Sequence, residues 1–203
     1  MCGLFIWYND NMPEIIKDFL SKDEIISLYK TMSIHAPNHG NIIEDSGRYI
    51  ISTTNMSYFN DIVHIVKKIE DLVSKKYNKN MHAATIGFHL YSNEFGKPQL
   101  HPHIDEYAGE VVFDYQMDSN LSWPIKINKT EYTLNDNEAL IFEGESSPHS
   151  RTMINFEMGQ YLIMFIVNLI SDTHWFNNSA TNPKPIEEIK NEIEKIRKDK
   201  GNW

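Results

Sequence analysis

Residues 100–117 read LHPHIDEYAGEVVFDYQM, and two features of this segment point to its architecture. The first is the spacing His103-x-Asp105. Alternate residues of an extended chain point to the same side, so an imidazole and a carboxylate can reach one point in space. The second is the period-two run Glu110–Met117, which reads as a strand. Working outward, short strands recur at Ala84–Tyr91 (ATIGFHLY), Trp123–Ile127 (WPIKI), Glu131–Leu134, Ala139–Glu143 and Gln160–Leu169. Turn-forming segments separate them: SNEFGKP, MDSNLS, NDNE and GESSP. Short strands in such succession predict a β-barrel or double-sheet jelly roll, within an α+β fold whose helices pack on one sheet.

The first third of the chain reads helical. A short leading element covers Pro13–Leu20. Ser21-Lys22-Asp23-Glu24 then offers an N-cap with a carboxylate three residues on, opening the helix IISLYKTM. Ala36 to Asn41, rich in Asn, Gly, His and Pro, reads as a loop. A clearer helix runs from about Tyr58 to Tyr77, with Ile62, Ile65, Val66, Ile69, Leu72 and Val73 on one face. At the other end, PIEEIKNEIEKIRKDKGNW carries Ile186, Ile189, Ile193 and Ile196 at helical spacing, which predicts a C-terminal helix whose charges form a solvated face. The chain is expected to form one domain over 1–203: a mainly helical part over 1–82, a jelly-roll core over 83–170, and a loop and helix over 171–203.

Composition excludes several classes. An apolar content of 41% with 12% aromatics is that of a globular chain rather than a disordered one. The net charge of −9, with no basic stripe, argues against nucleic acid as a partner. The longest apolar run, roughly Tyr161 to Ile170, is too short to span a bilayer, so no membrane partner is expected. Cys2 is the only cysteine, which rules out an intrachain disulfide. The N-terminus lacks the positive region of a secretory signal. These features point to the cytoplasm; the oligomeric state does not follow from them.

Well downstream of Asp105, the segment SSPHSR places His149 just past the strand Ala139–Glu143. That order suits a jelly roll, whose second and seventh strands are neighbours at the barrel mouth. Two histidines and one carboxylate form the ligand set of a mononuclear non-haem iron(II) site. They occupy one triangular face of an octahedron and leave the opposite face open for a co-substrate and dioxygen. His101 could stand in for His103, which the placement of Leu100 favours. His89 faces the same region and reads as a hydrogen-bonded core histidine. His35, His39, His64, His82 and His174 read as ordinary.

At these positions the chain resembles the iron(II)/2-oxoglutarate-dependent dioxygenases of double-stranded β-helix fold. The resemblance is to small single-domain members. It is carried by His103-Ile104-Asp105, Trp123-Pro124-Ile125, Ile141-Phe142-Glu143-Gly144 and His149-Ser150-Arg151, spans about residues 84 to 170, and extends more loosely over IIKDFLSKDEIISLY. It implies that His103, Asp105 and His149 hold Fe(II), that 2-oxoglutarate chelates the iron, and that O2 takes the last position. The chain would then hydroxylate a small molecule, amino acid or peptide side chain, releasing succinate and CO2. Asp105 occupies the position that halogenating relatives vacate, which favours hydroxylation or another oxidation. One departure stands out. Relatives anchor the far carboxylate of 2-oxoglutarate with Arg or Lys about ten residues after the second histidine, where this chain has Gly159-Gln160-Tyr161. Arg151 is the expected substitute, since it shares an inward face with His149 and can grip a carboxylate bidentately. Tyr91 is a candidate hydroxyl donor, Lys126 and Lys129 are fallbacks, and Gln160 and Tyr161 are further polar candidates. Trp123 and Phe142 read as core. The alternative is a cupin-like metal enzyme of the same fold that does without 2-oxoglutarate. The segment from Ser171 to Pro185, with Trp175 and Phe176, reads as a lid or a dimer contact, and the loop Glu106 to Gly109, the segment Ser92 to Pro102 and the N-terminal helices as the rim of the substrate mouth.

Overall fold

Strand-forming residues dominate the middle of the chain, and they build two sheets that face one another. The computed structural model describes residues 12–54, 56–105 and 108–174, and the single position 191. The larger sheet has seven strands in the order β1 (Glu14–Ile16), β9 (Glu138–Phe142), β6 (Val111–Ser119), β11 (Tyr161–Ser171), β4 (Met81–Ser92), β3 (Arg48–Thr53) and β2 (Gly40–Ile43). The smaller has four: β5 (Leu100–His103), β10 (His149–Arg151), β7 (Ile125–Ile127) and β8 (Thr130–Tyr132). Every pairing is antiparallel. This is the jelly roll expected from the sequence, and each of the six anticipated strands is present with its ends shifted by a few residues.

Alternation along the central strands sorts side chains into two cores. Phe88 on β4, Phe113 and Tyr115 on β6, and Phe165 and Val167 on β11 face the helices. Tyr91, Val112, Leu162 and Met164, from the same strands, face the smaller sheet and meet Trp123, Ile125 and Ile127. The helical layer is built from α1 (Lys22–His39) and α2 (Val63–Tyr77). Ser21 caps α1 with the full capping box: its hydroxyl accepts from the Glu24 N–H, and the Glu24 carboxylate accepts from the Ser21 N–H. On α2, Ile65, Val66, Ile69 and Val73 are buried against the large sheet, each contributing about 1.5–3 kcal/mol.

The N-terminal part departs from the expected helical third. Glu14–Ile16 is a strand, because it pairs with the edge of β9 through Ile15↔Leu140. The expected loop at 36–41 is instead the last turn of α1 running into β2. The helix continues past Pro37 because the Gly40 N–H closes on the Ala36 carbonyl. The strands β2 and β3 then form a hairpin turned by Gly47, which sits at φ +54°. The helix expected from Tyr58 begins as a 3-10 segment, Met56–Ile62, and becomes α-helical only at Val63. No helix among the described residues is long and apolar enough to cross a membrane. The anticipated C-terminal helix, Trp175, Phe176, Cys2, and positions 106 and 107 of the expected rim loop lie outside the described residues.

Candidate metal centre and its cavity

The pairing of β5 with β10 sets His149 directly opposite His103. The ring centroids of the two imidazoles lie 4.2 Å apart. Asp105 does not sit on the strand with His103, as the H-x-D spacing suggested. It lies two residues beyond the end of β5, held by its backbone N–H donating to the Gly144 carbonyl at 3.1 Å. From there an Oδ1 of Asp105 stands 3.9 Å from His103 Nε2, and its Oδ2 stands 4.0 Å from His149 Nε2. The three ligand atoms all lie within 4.8 Å of one another. A single ion with bonds of about 2.0–2.2 Å is therefore within reach of small side-chain rotations.

The tautomers suit this role. His103 Nδ1 faces the His101 carbonyl at 2.7 Å, and His149 Nδ1 faces the Ser147 carbonyl at 3.0 Å. Each Nδ1–H is thus donated to backbone, which leaves each Nε2 with its lone pair toward Asp105. Burial, the neighbouring His103 and Arg151 together hold His149 down to about 3, against the lone pull of the Ser147 carbonyl, so it stays neutral as a ligand must. Asp105 is pushed the other way, up to about 7, by burial and by the negative neighbours Asp114 and Glu145. A carboxylate crowded by other acids in a dry setting is a place that demands a cation, and a divalent ion would reverse the shift. The donor set therefore fits a metal. Gly144 explains its own place in the sequence: a Cβ there would overlap Asp105 Oδ2 and come within 2.6 Å of the Gly109 carbonyl.

Behind the triad lies a cavity of about 90 Å³ between the two sheets. That is room for roughly six to nine waters at 10–15 Å³ each. Of the expected residues, Arg151 and Tyr91 both line it. Arg151 is only 4% exposed; it donates to the Trp123 carbonyl, approaches Met164 Sδ at 3.9 Å, and lies 5.4 Å from the Trp123 ring centroid. Burial lowers its pKa, while Asp114 and Tyr91 favour its charge. Phe142 also lines the cavity, edge-on to His149. Trp123 is core, as expected.

Other candidates fall away. Lys126 and Lys129 are exposed, because alternation along β7 turns Lys126 outward while Ile125 and Ile127 face in. Gln160 is spent on the Glu157 N–H and Tyr161 on the Asp118 carboxylate, both away from the cavity. His101 is exposed and contributes its carbonyl rather than its ring. His89 makes no core hydrogen bond through Nδ1, which is buried without a partner among the described residues. It lines the cavity as a neutral ring, held down to about 3 by burial and by Arg48. His174 is not an ordinary surface histidine: it is buried and pairs with Glu145 at 2.8 Å, behind Asp105. Three further polar residues that the sequence did not single out line it: Arg48, Asp114 and Asn168. The signal for Asp114 was a charge inside the apolar alternation of EVVFDYQM; burial pushes it up to about 6, opposed by Arg151.

Comparison with solved structures places this architecture. The chain is similar to the non-haem alpha-ketoglutarate-dependent epimerase SnoN from nogalamycin biosynthesis, at 9% identity over 82% of this chain and 81% of that one, with a TM-score of 0.68. It is similar to a Pseudomonas putida prolyl-4-hydroxylase, at 10% identity over 79% and 93%, with a TM-score of 0.59. It is similar also to a Trichoplax adhaerens prolyl hydroxylase in complex with a hypoxia-inducible-factor oxygen degradation domain peptide, at 13% identity over 78% and 82%, with a TM-score of 0.57. At such identities the likeness is one of fold, and the fold is the jelly roll of these oxygenases. No protein-family model matches the chain, and no curated protein matches it by sequence.

Proposed function

We propose that this chain is an iron(II)- and 2-oxoglutarate-dependent oxygenase in which His103, Asp105 and His149 hold the metal. The observation that carries the reading is the convergence of two Nε2 atoms and a carboxylate at a cavity that the Arg151 guanidinium also lines. With iron, 2-oxoglutarate and O2 bound, such a centre supplies oxidation of an unactivated C–H bond, with succinate and CO2 as co-products. The chain's own residues do the rest. The His101 and Ser147 carbonyls fix the two imidazoles, and Gly144 leaves room for the Asp105 carboxylate. Arg151, with Tyr91, receives the far carboxylate of the co-substrate, and Phe142, Val112 and Met164 supply apolar wall to the cavity. His103 is the most exposed ligand, 39% at its side chain, so the substrate approaches from its side.

The substrate on this reading is a small molecule or a peptide side chain. Solved neighbours span both: one SnoN complex holds Fe3+, alpha-ketoglutarate and nogalamycin RO, and the Trichoplax enzyme holds a peptide. The reducing cytoplasm, where Fe(II) persists, is the compartment it implies. A second reading, a metal enzyme of this fold that does not use 2-oxoglutarate, draws on the place after His149 where Gly159-Gln160-Tyr161 carries no cation. One experiment separates them. Protein loaded with Fe(II) and supplied with 2-oxoglutarate and O2 should release succinate slowly even without substrate, and His149→Ala should abolish that. Metal binding without 2-oxoglutarate binding under anaerobic conditions favours the second reading; absence of metal binding defeats both.

A further inference from the structure

We propose that Arg48, on the N-terminal hairpin, is the second guanidinium of a two-arginine clamp, closing on the far carboxylate of a five-carbon 2-oxo diacid opposite Arg151. This rests on the function proposed above and adds one residue to it: Arg48, from the sheet opposite Arg151, which also lines the cavity.

Three observations carry it. The first is placement. Arg48 is the opening residue of β3 and pairs in register with Tyr91 of β4. Its Nη1 donates to Tyr91 Oη at 3.4 Å, its guanidinium lies 6.0 Å from the Tyr91 ring centroid, and it lines the same cavity as the triad and Arg151. The two arginines come from opposite sheets, so they flank the space between from either side.

The second is an unmet donor. Arg48 Nε is buried and has no hydrogen-bond partner among the described residues. A polar group withdrawn from water is retained at a cost unless something meets it. His89 Nδ1, inward on β4 two residues from Tyr91, is unmet in the same way. Two orphaned polar atoms on one wall of one cavity mark the place where a polar ligand group sits.

The third is the charge inventory. The cavity is lined by two cations, Arg48 and Arg151, and two acids, Asp105 and Asp114. Asp105 belongs to the metal. Asp114 answers Arg151, since each favours the charge of the other. No ion pair among the described residues involves Arg48. A carboxylate arriving there supplies the missing counter-charge and takes hydrogen bonds from Arg48, Tyr91 and Arg151 together.

The test uses the whole protein loaded with Mn(II), under anaerobic conditions, titrated calorimetrically with 2-oxoglutarate and with 2-oxopentanoate, which has the same chain length and only one carboxylate. Arg48→Gln should weaken 2-oxoglutarate by about 10-fold or more, the size expected for losing a charge-assisted hydrogen bond. It should leave 2-oxopentanoate and Mn(II) affinities unchanged. Arg48→Lys, which keeps charge and stem, should fall between and guards against misfolding of the glutamine variant. A merely structural Arg48 would lower both oxo acids alike, and equal 2-oxoglutarate affinity in wild type and variant also overturns the clamp while leaving the proposed function standing. Wild-type protein that holds Mn(II) but takes no 2-oxoglutarate overturns both.

Discussion

The two ends of the cavity were built from sequence in opposite ways. At the metal end, three candidate ligands come from one pair of adjacent strands and a residue just past β5, and His103 and His149 sit opposite one another in register. At the far end, where the far carboxylate of the co-substrate is proposed to sit, the lining polar groups arrive singly: Arg48 from β3, His89 and Tyr91 from β4, Asp114 from β6 and Arg151 from β10. A metal imposes its bond lengths and angles on its ligands, so few arrangements satisfy it. A carboxylate can be met by donors from many directions, so the far end tolerates many solutions. Single changes are therefore decisive at the metal end, and their effects are shared at the far end.

The largest effect is expected from Asp105→Ala. Removing a ligand should cost more than the 10–100-fold that loss of an outer partner brings in metal affinity. Titration with Fe(II) or Mn(II) reads this directly; wild-type affinity in the variant would mean that the triad is not the site. Gly144→Ala sharpens the point, because it alters no ligand. Its methyl would strike Asp105 Oδ2, and the close Gly109 carbonyl at 2.6 Å blocks retreat. Metal affinity should fall by about 10–100-fold, while far-ultraviolet circular dichroism stays that of the wild type. If alanine is accepted without loss, the close approach is not what the glycine is for.

At the far end a smaller effect is expected. Arg151→Gln should weaken anaerobic 2-oxoglutarate binding by about 10-fold or more and leave metal affinity within about 2-fold, in line with the loss of one charge-assisted contact among several. Calorimetry on the Mn(II)-loaded protein measures both. A variant that loses the metal instead would show that the two ends are not separable.

The same contrast governs what could be read from the chain. The candidate triad was legible because metal chemistry restricts residue type and spacing, and the neighbouring strands alternate clearly, as in WPIKI and EVVFDYQM. Even there the three side chains converge for a different cause: Asp105 is aimed by its backbone bond to Gly144 just past β5, not by strand pleating. Arg48 was illegible because β3, RYIIST, lies between two helices in a part read as helical. Its strand character comes from pairing with β4, whose partners begin more than thirty positions away. The sequence around 36–41 also carried Pro37 and Gly40, ordinary signs of a loop, whereas tertiary packing carries the helix to His39 and turns directly into a strand.

The smallest effect tests the far wall without any ligand. His89 is held neutral in the fold, down to about 3, by burial and by the Arg48 guanidinium, whereas an unfolded histidine titrates near 6.5. Between those values the unfolded chain binds the extra proton. Stability is therefore intact above about pH 6.5 and falls as the pH drops toward 3. From pH 6.5 to 5 the loss attributable to His89 is on the order of 2 kcal/mol. Asp114 acts with the opposite sign. Raised to about 6, its ionisation costs stability as the pH climbs from the ordinary carboxylate range through 6, so it softens the acid slope rather than steepening it. The informative quantity is consequently a difference. Urea unfolding of wild type and His89→Gln at pH 7.5 and pH 5 should show the variant losing less stability on acidification, by on the order of 1–2 kcal/mol. Parallel slopes would mean that His89 is wetted and charged in the fold, and the wall beside Arg48 would then lack the dryness that makes an unanswered guanidinium costly.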